Sequence, residues 1–515
     1  MKISKFQPWG GVILSAILLT LAFPRTDIWL LGWVGLIPLM RALDTRSPRA
    51  AFGLAYACGV LFFGGTLYWF IHVTIVGAVL LNAYLALYFG LFGLAYSFFR
   101  RHTPLQKLFL IPSIWVVLEF VRAHLFSGLG WAVLGQSQYK NLVVIQIAEM
   151  TGVWGVSFLL VMVNFFLKEV INGVSAAGHR GDRISFPQLA ACGRVTIVWT
   201  ILVLGYGMVC LQRSEEQQGL SVAVIQANIA QDLKWQESSW PMIMRKYMAL
   251  TAQAAEENPQ LIVWPETSFP GFLWEDQELF EELRGFVRRL HIPLLFGSVV
   301  TRQGAYYNSA LLLSGEGDVI EEYHKIHLVP FGEFVPLRAF FPFLSDLVPI
   351  ADFTAGKEFT VFPYPPEEGG RKMFAVLICF EDTVARLARE FVQRDAQLLV
   401  NLTNDAWFHD TKEPFMHLSA SVFRTIENRR SLLRAANTGV SCFIDPYGRV
   451  LDQVQDQRYK TTYVEGYART TVPLNTARTL YTRFGDVFVF LCMGCAAAGI
   501  LRSWRRNWQG REERK

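Results

Sequence analysis

Three apolar runs each end in a residue able to take part in covalent chemistry. "IVWPETS" delivers Glu266, "EEYHKIHLVPFGEF" carries Lys325, and "VLICFED" ends on Cys379. A thiol is a strong nucleophile only as a thiolate, so at neutral pH it needs a base. A carboxylate whose pKa is lifted by burial can serve, which makes Glu266 the candidate base. An ammonium beside the sulfur lowers the thiol pKa and can hold an oxyanion, which is what Lys325 offers. Taken singly these residues say little: a cysteine on an apolar strand ordinarily packs, and a lone Glu or Lys at a strand end is ordinarily a solvated charge. Together, where rigid strands pass into loops, they supply nucleophile, base and electrostatic stabiliser. Cys379 is followed at once by Phe380, Glu381 and Asp382. Those acids would hinder a thiolate they faced, so they must serve another task.

The elements that position these residues begin near residue 220. "LSVAVIQANI", "QLIVWPET" and "IPLLFGSVV" read as strands, and "YYNSALLLS" with "DVIEEYHKIHLV" reads as a hairpin pair around "GEGD". "KMFAVLICF" and "AQLLVNLTND" are further strands, and "GVSCFIDPYGRVL" closes with strand, turn and strand. Helical spacing marks "MIMRKYMALTAQAAEE", 275–290, 383–394 and 415–430. The pattern predicts an α/β layered domain of about 260 residues. The proline-bearing stretch 338–371 is expected to be loop and to cover a site; its apolar part, "PLRAFFPFLSDLVPIADF" (336–353), reads either as a lid dipping into lipid or as ordinary packing against the transmembrane bundle.

The rest of the chain has another texture. Hydrophobic residues make up 52% of the sequence and charged residues only 18%. No Asp, Glu, Lys or Arg lies between Arg49 and Arg100, a length that holds two membrane spans of about 20 residues each. Further spans are expected near 9–23, 28–40, 106–121, 152–167, 195–211 and 487–501, about eight in all, with 28–40 short enough to be re-entrant. "MKISKFQPWGGVILSAILLTLAF" begins like a signal peptide but has no clear small-x-small cleavage site and runs into more apolar sequence, so it reads as a retained first span. The expected organisation is a membrane bundle over 1–212, a folded domain over 213–483, and a last span with a basic tail over 484–515.

Basic residues orient the spans. Lys2 and Lys5, then Arg41, Arg46 and Arg49, then Arg100, Arg101 and Lys107, then Lys168, Arg180, Arg183 and Arg194, and finally "RSWRRNWQGREERK" all fall on one side if the spans alternate. By the positive-inside rule that side is the cytoplasm, which puts 213–483 outside it. The net charge of +5 sits largely at these edges and calls for no nucleic-acid partner. Glu119 and Arg122, one helical turn apart near the outer end of a span, are expected to pair and anchor at the interface. Of seven cysteines only Cys379 and Cys442 lie in the outer domain, and the CxxC spacing of "CMGC" at 492–495 falls inside an expected membrane helix, so neither a disulfide framework nor a metal site is expected.

The blocks "WPET", "HKIHLVPFGEF", "ICFED" and "NLTNDAWF" resemble the signatures of the nitrilase, or carbon–nitrogen hydrolase, superfamily, whose triad runs Glu, Lys, Cys in chain order. Such a domain between seven spans and one more resembles the apolipoprotein N-acyltransferase family, and "AVIQANIAQDLKW" extends the likeness over essentially the whole chain. The resemblance implies an α-β-β-α sandwich on the periplasmic face of a bacterial inner membrane, with Glu266, Lys325 and Cys379 catalytic. It implies a ping-pong transfer of an acyl group from a phospholipid to the N-terminal α-amine of an S-diacylglyceryl-cysteine lipoprotein, with Lys325 and the Phe380 N–H at the oxyanion. No metal or nucleotide cofactor is implied, since an ester and then a thioester carry the activation. Glu333 matches an acid that orients the lysine or forms a structural ion pair, Glu381 a supporting acid, and Trp235 an aromatic of the substrate region. Phe380 stands where family members often have Tyr, which leaves it an aromatic packing role. Asn404 and Asp405 are read as loop anchors or turn caps. Nothing suggests a self-pairing helix, so a monomer is expected. The alternative is a membrane-tethered amidase using the same triad with water as the acyl acceptor; a transporter with a degenerate domain or a lipoprotein-binding scaffold would not need the triad.

Overall fold

The uncharged runs of the first half form helices, the arrangement that lets a chain in hydrocarbon satisfy its own N–H and C=O groups. Several start where the sequence offers a cap: the side chains of Ser47, Thr74 and Thr103 each accept from a backbone N–H of the first turn. The computed structural model describes residues 8–175, 185–213, 219–334, 352–364 and 372–512. It divides into two units, Met1–Arg213 with Phe484–Lys515, and Ser214–Arg483.

In the first unit six helices are long and apolar enough to cross a membrane: Pro48–Thr66, Ile75–Arg101, Pro104–His124, Val153–Val174, Phe186–Gln212 and Val487–Arg505. These correspond to six of the eight expected spans. The other two are shorter. Pro8–Ala22 has 15 residues, about 22 Å of helix against a hydrocarbon core of about 30 Å. Residues 28–40 fall in a 3-10 turn, Trp29–Trp33, and a short helix, Ile37–Leu43. A third short apolar segment, Leu142–Thr151, was not foreseen. Small residues let the helices approach closely. A Cβ on Gly59 would lie 2.9 Å from the Ala86 Cα, so Pro48–Thr66 and Ile75–Phe98 could not pack as they do with a larger residue there.

Glu119 and Arg122 do share a helix turn, but they are buried and not interfacial anchors. Glu119 Oε1 accepts from the Leu134 N–H at 2.7 Å, and the Arg122 guanidinium donates to the carbonyls of Leu129, Trp131 and Ala132. The pair clips the irregular 125–133 segment and the start of the 3-10 helix Leu134–Gln138 to its helix, since irregular backbone needs internal partners there.

The second unit contains two six-stranded sheets. The first uses β1 (Gly219–Gln226), β2 (Leu261–Val263), β3 (Leu294–Arg302), β4 (Ala305–Leu313) and β5 (Val319–His324). The second uses β6 (Val361–Tyr364), β7 (Lys372–Ile378), β8 (Leu398–Thr403), β9 (Ser431–Ala436), β10 (Cys442–Ile444) and β11 (Val450–Gln453). The last strand, β12 (Gly466–Pro473), returns to the first sheet. The orders are β12-β1-β2-β3-β4-β5 and β11-β10-β9-β8-β7-β6. Each sheet has three parallel strands, β1-β2-β3 and β7-β8-β9, flanked by antiparallel ones.

Helices Trp240–Ala255 and Gln277–Leu290 cover the first sheet with Met244, Tyr247, Phe280, Leu283 and Val287 against Ile225, Ile262, Trp264 and Phe296. Helices Ala385–Gln393 and Glu413–Asn428 cover the second, and the sheets face each other through β1 with β9 and β4 with β7. This is the expected α-β-β-α sandwich. Strands β6, β9 and β12 were not foreseen. β9 follows its helix after only two residues, one of them Arg429 at φ +50, so the helical pattern hides the reversal.

Candidate active site

Glu266 and Cys379 lie past the carboxyl ends of the parallel strands β2 and β7, where layered α/β sheets place ligands, and Lys325 past the end of the antiparallel strand β5. Glu266 follows β2 by three residues. Its backbone runs against β3 at Gly297, where a Cβ would lie 2.7 Å from the Glu266 Cα; only glycine admits that approach. Lys325 follows β5 directly, its N–H donating to the Asn308 carbonyl of β4 at 2.8 Å. Cys379 follows β7 and opens the 3-10 turn Cys379–Thr383 at φ +53, a left-handed conformation uncommon for a non-glycine residue. Strain of this kind persists only where its surroundings impose it.

The first two meet in a buried cluster. Lys325 Nζ lies 2.9 Å from Glu333 Oε1 and 3.8 Å from Glu266 Oε1. Asn308 bridges the acids, its Nδ2 donating to Glu266 Oε1 at 2.7 Å and Glu333 Oε1 at 2.9 Å. Glu333 is fixed from behind by the Val329 N–H at 2.8 Å. Lys325 is 1% exposed and Glu266 7%.

The charges act on one another and on the thiol. Burial pushes the Glu266 carboxyl above the ordinary range, Lys325 opposing and Glu333 reinforcing. Burial alone would lower Lys325, but Glu333, Cys379 and Glu266 outweigh it and raise the lysine, which stays a cation. Burial and then Glu266 hold the Cys379 thiol well above its usual pKa, against the pull of Lys325. The resting form of Cys379 is therefore the thiol.

Glu381 and Asp382 turn away from this chemistry, each to a different task. Glu381 Oε1 accepts from the N–H groups of Ile326 and His327 at 2.8 and 2.9 Å, and Oε2 from Ile378 N–H at 2.8 Å. The Tyr323 hydroxyl donates to the same carboxylate at 2.9 Å. Glu381 thereby ties the end of β7 to the segment after Lys325; burial lifts it to about 7 against the pull of those donors. Asp382 Oδ1 lies 2.7 Å from His417 Nε2, and Oδ2 accepts from Arg434 Nη1 at 2.9 Å and from the Ser421 hydroxyl. His417, Arg434 and Asp405 complete this second cluster.

Asp405, Glu413 and His417 present three ligand-type atoms within 4.8 Å of one another. The buried Arg434 guanidinium, 3.6 Å from Asp405 Oδ2, already supplies positive charge there, which makes an ion-pair network of the group. Asn404 does anchor loops, donating to Gln231 Oε1 at 2.8 Å and accepting from Asn437 Nδ2 at 3.0 Å. The Phe380 ring stacks on His327 with centroids 5.9 Å apart. Trp235 is 48% exposed, so it is no core residue. All seven cysteines are free, Cys379 and Cys442 included. The proposed lid, 336–353, lies outside the described residues except for its last two.

Several site residues escaped the sequence reading. Lys234, beside Trp235, is buried and its Nζ donates to the Glu266 carbonyl at 2.9 Å; burial lowers it to about 8. Asn308 and Asn401 lie in the buried parts of strands β4 and β8, Arg434 in the buried strand β9, and His417 on the buried helix Glu413–Asn428. For Asn401 and Arg434, a polar residue within a buried strand was the available signal, since such groups are retained where they have partners.

The family model described as "Apolipoprotein N-acyltransferase N-terminal domain" matches residues 15–166, and the one described as "Carbon-nitrogen hydrolase" matches residues 221–472. A protein of Geobacter metallireducens named apolipoprotein N-acyltransferase is 36% identical over 96% of this chain and 95% of its own length. One of Chlorobaculum tepidum with the same name is 29% identical over 96% of both chains. Among solved structures, an amidase from Nesterenkonia sp. is 18% identical, covering 54% of this chain and 97% of its own at a TM-score of 0.39, a likeness too slight to argue from. With near full-length similarity and both domains matched, the chain belongs to the apolipoprotein N-acyltransferase family and is an acyltransferase.

Proposed function

We propose that this protein moves a fatty acyl group from a membrane phospholipid to the N-terminal α-amine of an S-diacylglyceryl-cysteine lipoprotein, through a thioester on Cys379. The observation that carries this reading is the electrostatic coupling of a carboxyl raised by burial, a buried ammonium and a strained cysteine at the ends of β2, β5 and β7, in a chain whose relatives bear the name apolipoprotein N-acyltransferase. The long apolar helices supply the bilayer context both substrates require, and the basic loops favour a bacterial inner membrane with 213–483 on the periplasmic side.

In the first half, Glu266 takes the Cys379 proton as Sγ attacks the donor's ester carbon. Lys325, oriented by Glu333, and the Phe380 main-chain N–H hold the oxyanion. Collapse breaks the ester C–O bond, Glu266 returns the proton to the leaving oxygen, and a lysophospholipid departs. In the second half the α-amine attacks the thioester carbon and gives its proton to Glu266. The C–S bond breaks, an amide forms, and the sulfur recovers its proton. No oxidant or outside energy source enters the balance. Trp235, half exposed beside Lys234, is suited to contact substrate.

The test is the mass of the Cys379 peptide after incubation with phosphatidylethanolamine and no acceptor. An acyl group on Cys379, removed by a diacylglyceryl-cysteine peptide, is the expected result. An unmodified Cys379 in folded protein would refute the reading, and release of the acyl group to water as fast as to the peptide would favour an amidase.

A further inference from the structure

The left-handed turn at Cys379 needs something to hold it, because the backbone there does not relax to a common conformation on its own. The structure shows what grips it. The Cys379 carbonyl faces two buried side-chain donors: Asn401 Nδ2 at 3.0 Å and His417 Nε2 at 3.2 Å. Asn401 lies on β8, in register with Leu377 of β7, and the same Nδ2 donates to the Leu377 carbonyl at 3.1 Å. It therefore locks the end of β7 to the residue that follows the strand.

His417 comes from a different direction, on the helix Glu413–Asn428. Its Nε2 lies 2.7 Å from Asp382 Oδ1 and its Nδ1 lies 3.2 Å from Asp405 Oδ1, with Glu413 Oε1 at 3.7 Å from the same nitrogen. A ring whose two nitrogens both face carboxylates must carry a proton on each. In agreement, the flanking acids raise His417 to about 10 despite burial. The ring cannot swing away: Asp382 is pinned by Arg434 and Ser421, and Asp405 Oδ1 also accepts from the Thr403 hydroxyl at 2.9 Å. A rigid donor, its one Nε2–H shared between Asp382 Oδ1 at 2.7 Å and the Cys379 carbonyl at 3.2 Å, is thus held at the strained residue, three positions before the acid that fixes it.

We propose that His417 and Asn401 are positioning residues: by clamping the Cys379 carbonyl they maintain the left-handed turn and with it the direction of Sγ toward Glu266 and Lys325. The inference rests on the reading of Cys379 as nucleophile. Neither side chain touches the acyl group. Their effect is on the geometry of attack, so it falls on the rate of acylation and leaves donor binding alone.

The experiment is single-turnover acylation of Cys379 in the full-length protein, followed by intact mass against phosphatidylethanolamine fraction in nanodiscs, for wild type, His417→Gln and Asn401→Leu. The amide of Gln satisfies fewer of the acceptors around the ring; Leu matches Asn in shape without its donor. The expected result is a fall of about ten- to a hundredfold in the limiting rate, with the half-saturating donor fraction unchanged. A wild-type limiting rate in folded variant protein, or a loss lying wholly in half-saturation, would overturn the proposal. If His417→Gln does not give a folded, monodisperse protein, Asn401→Leu decides by the same criterion, since it leaves the ion pairs of His417 in place. Failure of the two readings is distinguishable: a wild-type Cys379 that never acylates removes the nucleophile assignment and the inference with it. Acylation at equal rates in wild type and variants removes the inference alone.

Discussion

Two buried charge clusters flank Cys379, built from the same kinds of residue and tuned in opposite ways. In the first, Lys325 is shared between Glu266 and Glu333, and Glu266 gets the longer contact, 3.8 Å against 2.9 Å. Its carboxyl is raised. In the second, His417 and Arg434 serve Asp382 and Asp405, and both aspartates are held below the ordinary range by those partners in spite of burial. Glu413, the acid the cations serve least, is pushed well above its ordinary value by burial. One cluster leaves an acid short of positive charge and so ready to accept a proton. The other commits its charges to holding a turn. Burial is common to both, so the difference lies in how many cationic donors each carboxylate receives.

The contrast predicts that the clusters fail differently. Glu266→Gln should produce the largest loss of activity, a fall of about a hundred- to ten-thousandfold in Cys379 acylation. The thermal midpoint should move little by comparison, since the isosteric amide still meets Asn308; a midpoint that collapses with the rate would make Glu266 structural. In wild type the same residue makes acylation fall on acidification. A raised acid is protonated sooner as pH drops, so the loss begins above the ordinary value of 4.5. A pH–rate profile of single-turnover acylation reads this directly.

Arg434→Met should do the reverse. It strands Asp382 and Asp405 without their guanidinium and should cost about 3–5 kcal/mol of stability, measurable by denaturant unfolding of the full chain in detergent. The smallest effect belongs to alkaline pH. His417 is raised from 6.5 to about 10 in the folded protein, so the stability it contributes is complete below 6.5 and is lost as pH rises through about 10. A thermal midpoint that falls over that window in wild type, and falls less in His417→Gln, is the expected outcome; the same slope in both would detach His417 from the effect.

Legibility in the sequence followed the range of the signal. Cys379 and Glu266 stood out because each follows an apolar run and Lys325 because it follows a strand, and the long spans because their lack of charge is local and continuous. The short helices at Pro8–Ala22 and Leu142–Thr151 were harder, since an apolar run below about 17 residues fits a span, a re-entrant piece or a core helix equally well. Glu119 and Arg122 could be paired from spacing, but the carbonyls that Arg122 serves lie on a segment whose path has no periodic mark. His417 was read only as part of a helix, and its partners come from 12 and 35 residues away along the chain.

The sequence alone determined the chemical inventory: a thiol, a carboxyl and an ammonium at the ends of strands, and apolar helices long enough for a bilayer. Side-chain chemistry and hydrophobic period are local properties, readable without knowing what lies opposite. Only the tertiary structure decided which acid serves which cation, that Glu381 braces the segment after Lys325 while Asp382 grips His417 and Arg434, and that Cys379 sits in a left-handed turn. Those outcomes depend on distances between residues remote in the chain, and a carboxylate's role is set by the donors that folding brings within about 3 Å of it.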